Sequence, residues 1–316
     1  MTTITDANIK GYVDAYLNLH KDNKGNTLAF GRKRFITKLP SDLKNKKIGE
    51  WDVSNVTDMR GLFRLRDDFN EDISGWDVSK VTNMKGMFRY ARAFNQPLEQ
   101  WNVGNVTNMD GMFNGASAFN QPLEQWNVGN VTNMRAMFFN AHVFNQPLEQ
   151  WNVGNVTNMR AMFFNAHVFN QPLEQWNVGN VTNMMRMFWD ARAFNQPLEQ
   201  WNVGNVTNMQ DMFYYASAFN QPIGNWNVSQ VTNMNFMFDG ARAFNQDIGQ
   251  WNVSQVTTMK GMFNNSPFDV NSYHGNLNQD LIKRYSEQTS SYRNKYKKHP
   301  ADEFGGRKGK TRKTKG

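Results

Sequence analysis

Apolar residues recur with a period of 25 through most of the chain. Trp51, Trp76, Trp101, Trp126, Trp151, Trp176, Trp201, Trp226 and Trp251 keep that interval, and only Trp189 stands off it. With each Trp as position 1, apolar residues fall at positions 1, 3, 6, 9, 12, 13, 16, 19 and 23. Positions 9, 12, 13 and 16 have helical spacing, so Met109, Met112, Phe113 and Ala116 are expected on one helix face. Thr107 precedes that run and is read as its N-cap. Trp101 and Val103 have strand spacing, with Leu98 two polar residues ahead, and Pro97 closes the connection between helix and strand. Each unit thus reads as a short strand, a turn, a short helix and a loop.

One such unit cannot bury nine apolar residues alone. Stacked copies can, with strands paired in parallel and like side chains in columns. At about 4.8 Å per strand, nine coils make a rod or shallow arc roughly 40 Å long. Asn at positions 5, 8 and 20 and Gln at 21 are expected to bond turn backbone, or one another, down the stack. The first unit departs at Arg66, Asp67 and Asp68, and the ninth loses its period after Phe263, as terminal coils facing caps or water do. Thr5 to Asn18 reads as an N-terminal capping helix, and Asn278 to Lys298 as a second, through Leu281, Ile282 and Tyr285. The organisation expected is a basic N-terminal cap over 1–50, nine repeats over 51–269, a helical cap over 270–304 and a disordered basic tail over 305–316.

The string Phe94 to Phe113, FNQPLEQWNVGNVTNMDGMF, resembles the repeat of the BspA-like surface proteins, a domain of unknown function common in mycoplasmas and abundant in giant DNA viruses. The resemblance covers about 51–269. It implies a distant relation to leucine-rich repeats, and hence an α/β class fold, a right-handed parallel solenoid. Leu98-Glu-Gln-Trp101-Asn-Val103 is similar to the leucine-rich strand, although the usual Asn is displaced by one residue. The family carries no agreed activity; adhesion or interaction is what it implies.

Charge divides the chain in three. Residues 1–50 hold ten Lys/Arg against five Asp/Glu, residues 51–269 thirteen against eighteen, and residues 270–316 twelve against four. Attraction to nucleic acid or an anionic surface is therefore expected in the flanks. The absence of Cys excludes disulfides and thiolate chemistry. No apolar run is long enough to span a membrane, and Met1 to Lys10 lacks a signal-like apolar segment. With the tail, which is similar to those of large DNA viruses, this places the protein inside a cell or in a virion.

Catalysis needs unlike groups gathered at one place, and the repeats offer copies. His142 and His167 are one residue duplicated, and Glu99, Glu124, Glu149, Glu174 and Glu199 form a solvated column. No phosphate loop, nucleophile elbow or metal-ligand spacing appears, so neither an enzyme nor a cofactor is expected. The Asn-Val-Thr triplets match a glycosylation acceptor but are read as structural. Position 14 differs: it carries Phe139, Phe164, Trp189 and Tyr214 in successive units, with Arg135, Arg160, Arg186 and Arg192 nearby. Aromatic and Arg side chains together make interface hot spots, although rings packed down a stack explain the same pattern. The expectation is a non-catalytic scaffold with a protein partner. A nucleic-acid-associated protein acting through the basic flanks, or a glycan-binding adhesin, stands second.

Overall fold

The computed structural model describes residues 2–19 and 38–268, together with 281, 283, 285 and 286. Helices are confined to the ends. Helix α1 spans Ile9–Leu19 and α2 Ser41–Lys44, followed by a 3-10 turn at Ile48–Glu50. From Trp51 onward each 25-residue unit is one coil laid on the next, and isolated parallel bridges join position 8 of adjacent coils from Asp58 to Thr258.

The helix expected over positions 9–16 does not form. Positions 11 and 15 are left-handed in every coil, at φ 62° for Gly111, 53° for Ala136 and 57° for Asn140, which a right-handed helix cannot contain. The segment folds instead into successive four-residue turns: the amides of Met112, Asn114 and Ala116 bond the carbonyls of Met109, Gly111 and Phe113 at 3.0–3.1 Å. In the first and last of these the positive φ falls on the third residue, as a type II turn demands. The alternate amides are left free to reach the neighbouring coil. Met109, Gly111, Phe113 and Gly115 donate to the carbonyls of Asn133, Arg135, Met137 and Phe139 in the following coil at 2.7–3.0 Å. The backbone ladder therefore runs through positions 8–15 and not through positions 1 and 3, where pairing was expected. Thr107 is no helix cap either; its amide and hydroxyl both donate to the carbonyl of Thr82 in the preceding coil.

Side chains hold the rest of the coil. From Trp76 onward each position-1 Trp donates Nε1–H to a carbonyl 28 residues before it, as Trp126 does to Leu98 at 2.8 Å. The Asn120 amide donates to the Asn95 side-chain oxygen at 2.9 Å, and Gln121 donates to the same oxygen. Asn130 donates to Gly104 at 2.7 Å, and Asn133 folds back on the Arg135 amide. All nine apolar positions are buried, as a single continuous core.

Coils 4 and 5 (126–150 and 151–175) are identical in sequence, so ring separations between them report the spacing of the coils at four places. Phe139 and Phe164 lie 4.2 Å apart, Phe138 and Phe163 5.7 Å, Phe144 and Phe169 6.1 Å, and Trp126 and Trp151 6.4 Å. The stack is tight at position 14 and splayed at the tryptophans. It bends, with the hydrogen-bonded ladder on the concave side.

At the N-terminal end α1 covers the first coil. Tyr16 meets Trp51 edge-on at 5.4 Å and bonds Glu71 at 2.9 Å. The Asp6 carboxylate receives the amides of Thr57 and Asp58, standing in for a coil that does not exist. Trp51, also without a predecessor, keeps its Nε1 buried and unpartnered. At the other end Leu281 is buried and Tyr285 meets Phe263 at 5.3 Å. Most of the cap expected over 270–304, and the whole tail 305–316, lie outside the described residues.

Candidate functional site

The flat ladder places positions 10, 11 and 14 on the concave face, and across coils 1–6 this face forms a groove of about 1020 Å³. Small residues at position 11, among them Gly61, Gly86, Gly111, Ala136 and Ala161, keep its floor low. Its walls are basic. Eight of the thirteen cations of 51–269 line it, against Asp110 alone of the eighteen acids. Helix α1 adds Lys10 and Asp14. The mild acidity of the repeats as a whole thus conceals a cationic face. The Glu column lies elsewhere, with Glu99 and Glu199 exposed beside the splayed tryptophans.

Ion pairs hold five of these cations. Arg60 pairs with Asp58, and Arg66 with Asp14 on α1. Asp110 takes Lys85 at 2.9 Å and Arg135 at 3.8 Å. Arg186 bonds the buried Asp211 at 3.0 Å and lies over the Trp189 ring at 5.0 Å. Burial lifts Asp211 to about 6, against the pull of that guanidinium. The other three, Arg64, Arg89 and Arg160, have no carboxylate within 4.0 Å among the described residues, and Arg89 packs its guanidinium on Tyr90 instead. Burial, and then the neighbouring charges of Arg135 and Arg186, lower the pKa of Arg160. Two polar atoms of the groove are buried without any partner: Nε of Arg89, and Oδ1 of Asn114 at the same position of the next coil.

The four aromatic residues singled out in the sequence form one unbroken stack. Phe139, Phe164, Trp189 and Tyr214 follow each other at 4.2, 5.2 and 4.0 Å, with planes within 23°. The first three are half-buried and Tyr214 is buried. Their faces are taken up by one another, so the groove receives edges. Arg135 and Arg160 share the groove with Phe139 and Phe164. Arg192 does not line it; it is exposed at position 17 and held by Asp190 through two bonds of 2.8 and 2.9 Å. Arg60, Arg64, Lys85 and Arg89 stand at positions 10 and 14, four apart and on one side of a helix as of these turns; the net acidity of residues 51–269 is what concealed them in the sequence. The paired histidines stack at 5.0 Å, and His167 reaches Asp190 at 3.0 Å; burial lowers its pKa.

Residues 34–142, 122–216 and 195–299 each match the family described as Mycoplasma protein of unknown function, DUF285. Together these matches cover most of the chain. It belongs to that family. The repeated motif is therefore the family's own, in tandem, and positions 10, 11 and 14 are among those at which one coil differs from another. No curated protein matches the chain. Among the described residues no helix is long and apolar enough to cross a membrane, and no His, Cys, Asp and Glu side chains gather as a metal site.

Proposed function

We propose that the chain is a non-catalytic repeat solenoid whose concave face binds an extended polyanionic macromolecule. The observation that carries this reading is the segregation of charge into one groove spanning six coils. Unlike charges on a soluble surface intersperse unless a field is wanted, and a walled cleft of one sign focuses that field. The side chains there are cations and apolar edges in register, a surface suited to lying along something long.

The test uses heparin as a generic polyanion. Neutralising Arg64 and Arg160 to Gln in the full chain is expected to lower the salt concentration that elutes it from a heparin column. Neutralising Arg92 and Arg242, which lie outside the groove, is expected to leave it almost unchanged. Equal losses from both pairs would place the attraction in diffuse charge and sink the reading. A second reading, a protein partner, draws on the half-exposed edges of Phe139, Phe164 and Trp189, which leave room for an apolar side chain. It predicts that Trp189→Ser weakens binding of that partner and leaves heparin retention intact.

A further inference from the structure

We infer that the groove's occupant is a single-stranded nucleic acid, held by its phosphates along the concave face of coils 1–6. This rests on the reading of that face as the binding surface and names what it binds.

Size gives the first argument. Six coils at about 4.8 Å per step extend roughly 24 Å. A volume of about 1020 Å³ over that length leaves a cross-section of about 40 Å². That admits one extended chain. A duplex, whose major groove alone is about 12 Å wide, does not enter the groove and meets only its open rim. At about 3.4 Å of axial rise per nucleotide in a stacked strand, and more in an extended one, the groove covers at most about seven nucleotides.

The second argument separates a nucleic acid from an acidic peptide. The groove's acids are already engaged, Asp14 by Arg66 and Asp110 by Lys85 and Arg135. What remains on offer is donors: the guanidiniums of Arg64, Arg89 and Arg160. A peptide brings a backbone N–H for every carbonyl, and those donors would be buried against more donors, at a cost for each. Phosphodiesters bring acceptors and a full negative charge at every step, which the planar fork of Arg receives in pairs. Backbone addition is closed to a peptide as well, because the coil amides at positions 9, 11, 13 and 15 already bond the next coil.

Third, the groove holds two unmet needs side by side. Arg89 Nε wants an acceptor and Asn114 Oδ1 a donor, and both are buried. A nucleotide supplies both, a phosphate oxygen and a base amino or sugar hydroxyl, once the two side chains turn outward to meet it. Arg160, crowded by Arg135 and Arg186, gains from any anion that enters. Because the rings show edges and not faces, base stacking contributes little here. The inference therefore predicts weak dependence on base sequence.

The experiment measures fluorescence anisotropy of a labelled twelve-residue oligo(dT) with the full chain over a salt series. Its comparisons are the duplex of the same length, inorganic polyphosphate and a twelve-residue poly-Glu peptide. Arg64→Gln, Arg89→Gln and Arg160→Gln together are expected to weaken oligo(dT) binding tenfold or more. They should flatten the log–log salt dependence by about 2, at roughly 0.7 for each phosphate no longer neutralised. Near-ultraviolet circular dichroism checks that the triple variant is folded. Lys80→Gln, Arg92→Gln and Arg242→Gln together should change affinity less than twofold, and the duplex should not respond to the groove variant. Oligo(dT) binding that ignores the groove variant would overturn the inference, as would poly-Glu competing equally well. Groove-dependent binding of polyphosphate without oligo(dT) would sink the nucleic acid and spare the proposed function. Groove-dependent binding of neither would sink both.

Discussion

Ala136 and Ala161 carry the conformational logic of the repeat. Each occupies the left-handed position 11, where coils 1–3 and 9 have glycine. A left-handed non-glycine residue costs roughly 1–2 kcal/mol, and glycine gives back about 0.5–1 through the entropy it loses on folding. Ala136→Gly and Ala161→Gly are therefore expected to stabilise the protein by about 0.5–1 kcal/mol each. Urea denaturation reads this as a higher midpoint at unchanged slope. The same substitution in a helix would destabilise by a similar amount, so its sign distinguishes the two conformations. The signal was present in the sequence: glycine at position 11, and glycine or asparagine at position 15 as in Gly115, Asn140, Asn165, Gly240 and Asn265. Apolar spacing at positions 9, 12, 13 and 16 fits a helix and a run of tight turns equally well. Residues that tolerate positive φ decide between them.

At the scale of the coil, burial was legible and backbone path was not. The nine apolar positions enter the core whatever the chain does between them, because the period of 25 fixes which side chains form columns. The amides at positions 20 and 21 were legible for the same reason: a polar residue repeated in register must meet its own copy. Where the ladder would run was hidden, since an alternating pattern marks strands and the bonded segment here does not alternate. Phe163 tests the column. It is fully buried and stacks between Phe138 and Phe188 at 5.7 and 5.6 Å. Phe163→Ala is expected to cost about 3–5 kcal/mol. Because each coil touches only its neighbours, hydrogen exchange should show the loss concentrated in coils 4–6, with the terminal coils still protected.

For the whole molecule, the candidate site was half legible. The aromatic row stood out because it is consecutive at one position. The cations did not, because they are scattered over positions 10, 11, 14 and 16 in repeats whose net charge is acidic. Regional charge pointed to the flanks, and the last twelve residues do hold six basic residues. Deleting 305–316 removes no residue of the described core, so the thermal midpoint is expected to stay unchanged. Nucleic-acid binding should weaken and keep its dependence on Arg64, Arg89 and Arg160. The direction of the ladder bonds has a consequence for the same charges. At positions 9, 11, 13 and 15 every amide points toward the next coil and every accepting carbonyl toward the one before, as in Phe88 to Met112, Phe113 to Met137 and Phe138 to Met162. The bond at Thr82 runs the other way, but four rows outweigh it. Peptide dipoles thus add along the stack as they do along a helix, negative toward coil 1 and positive toward coil 9. Arg60, Arg64 and Arg66 lie at the negative end, and Asp211 and Asp239 toward the positive one. The array is electrically polar along its length, and on its concave face the cations gather toward the negative end.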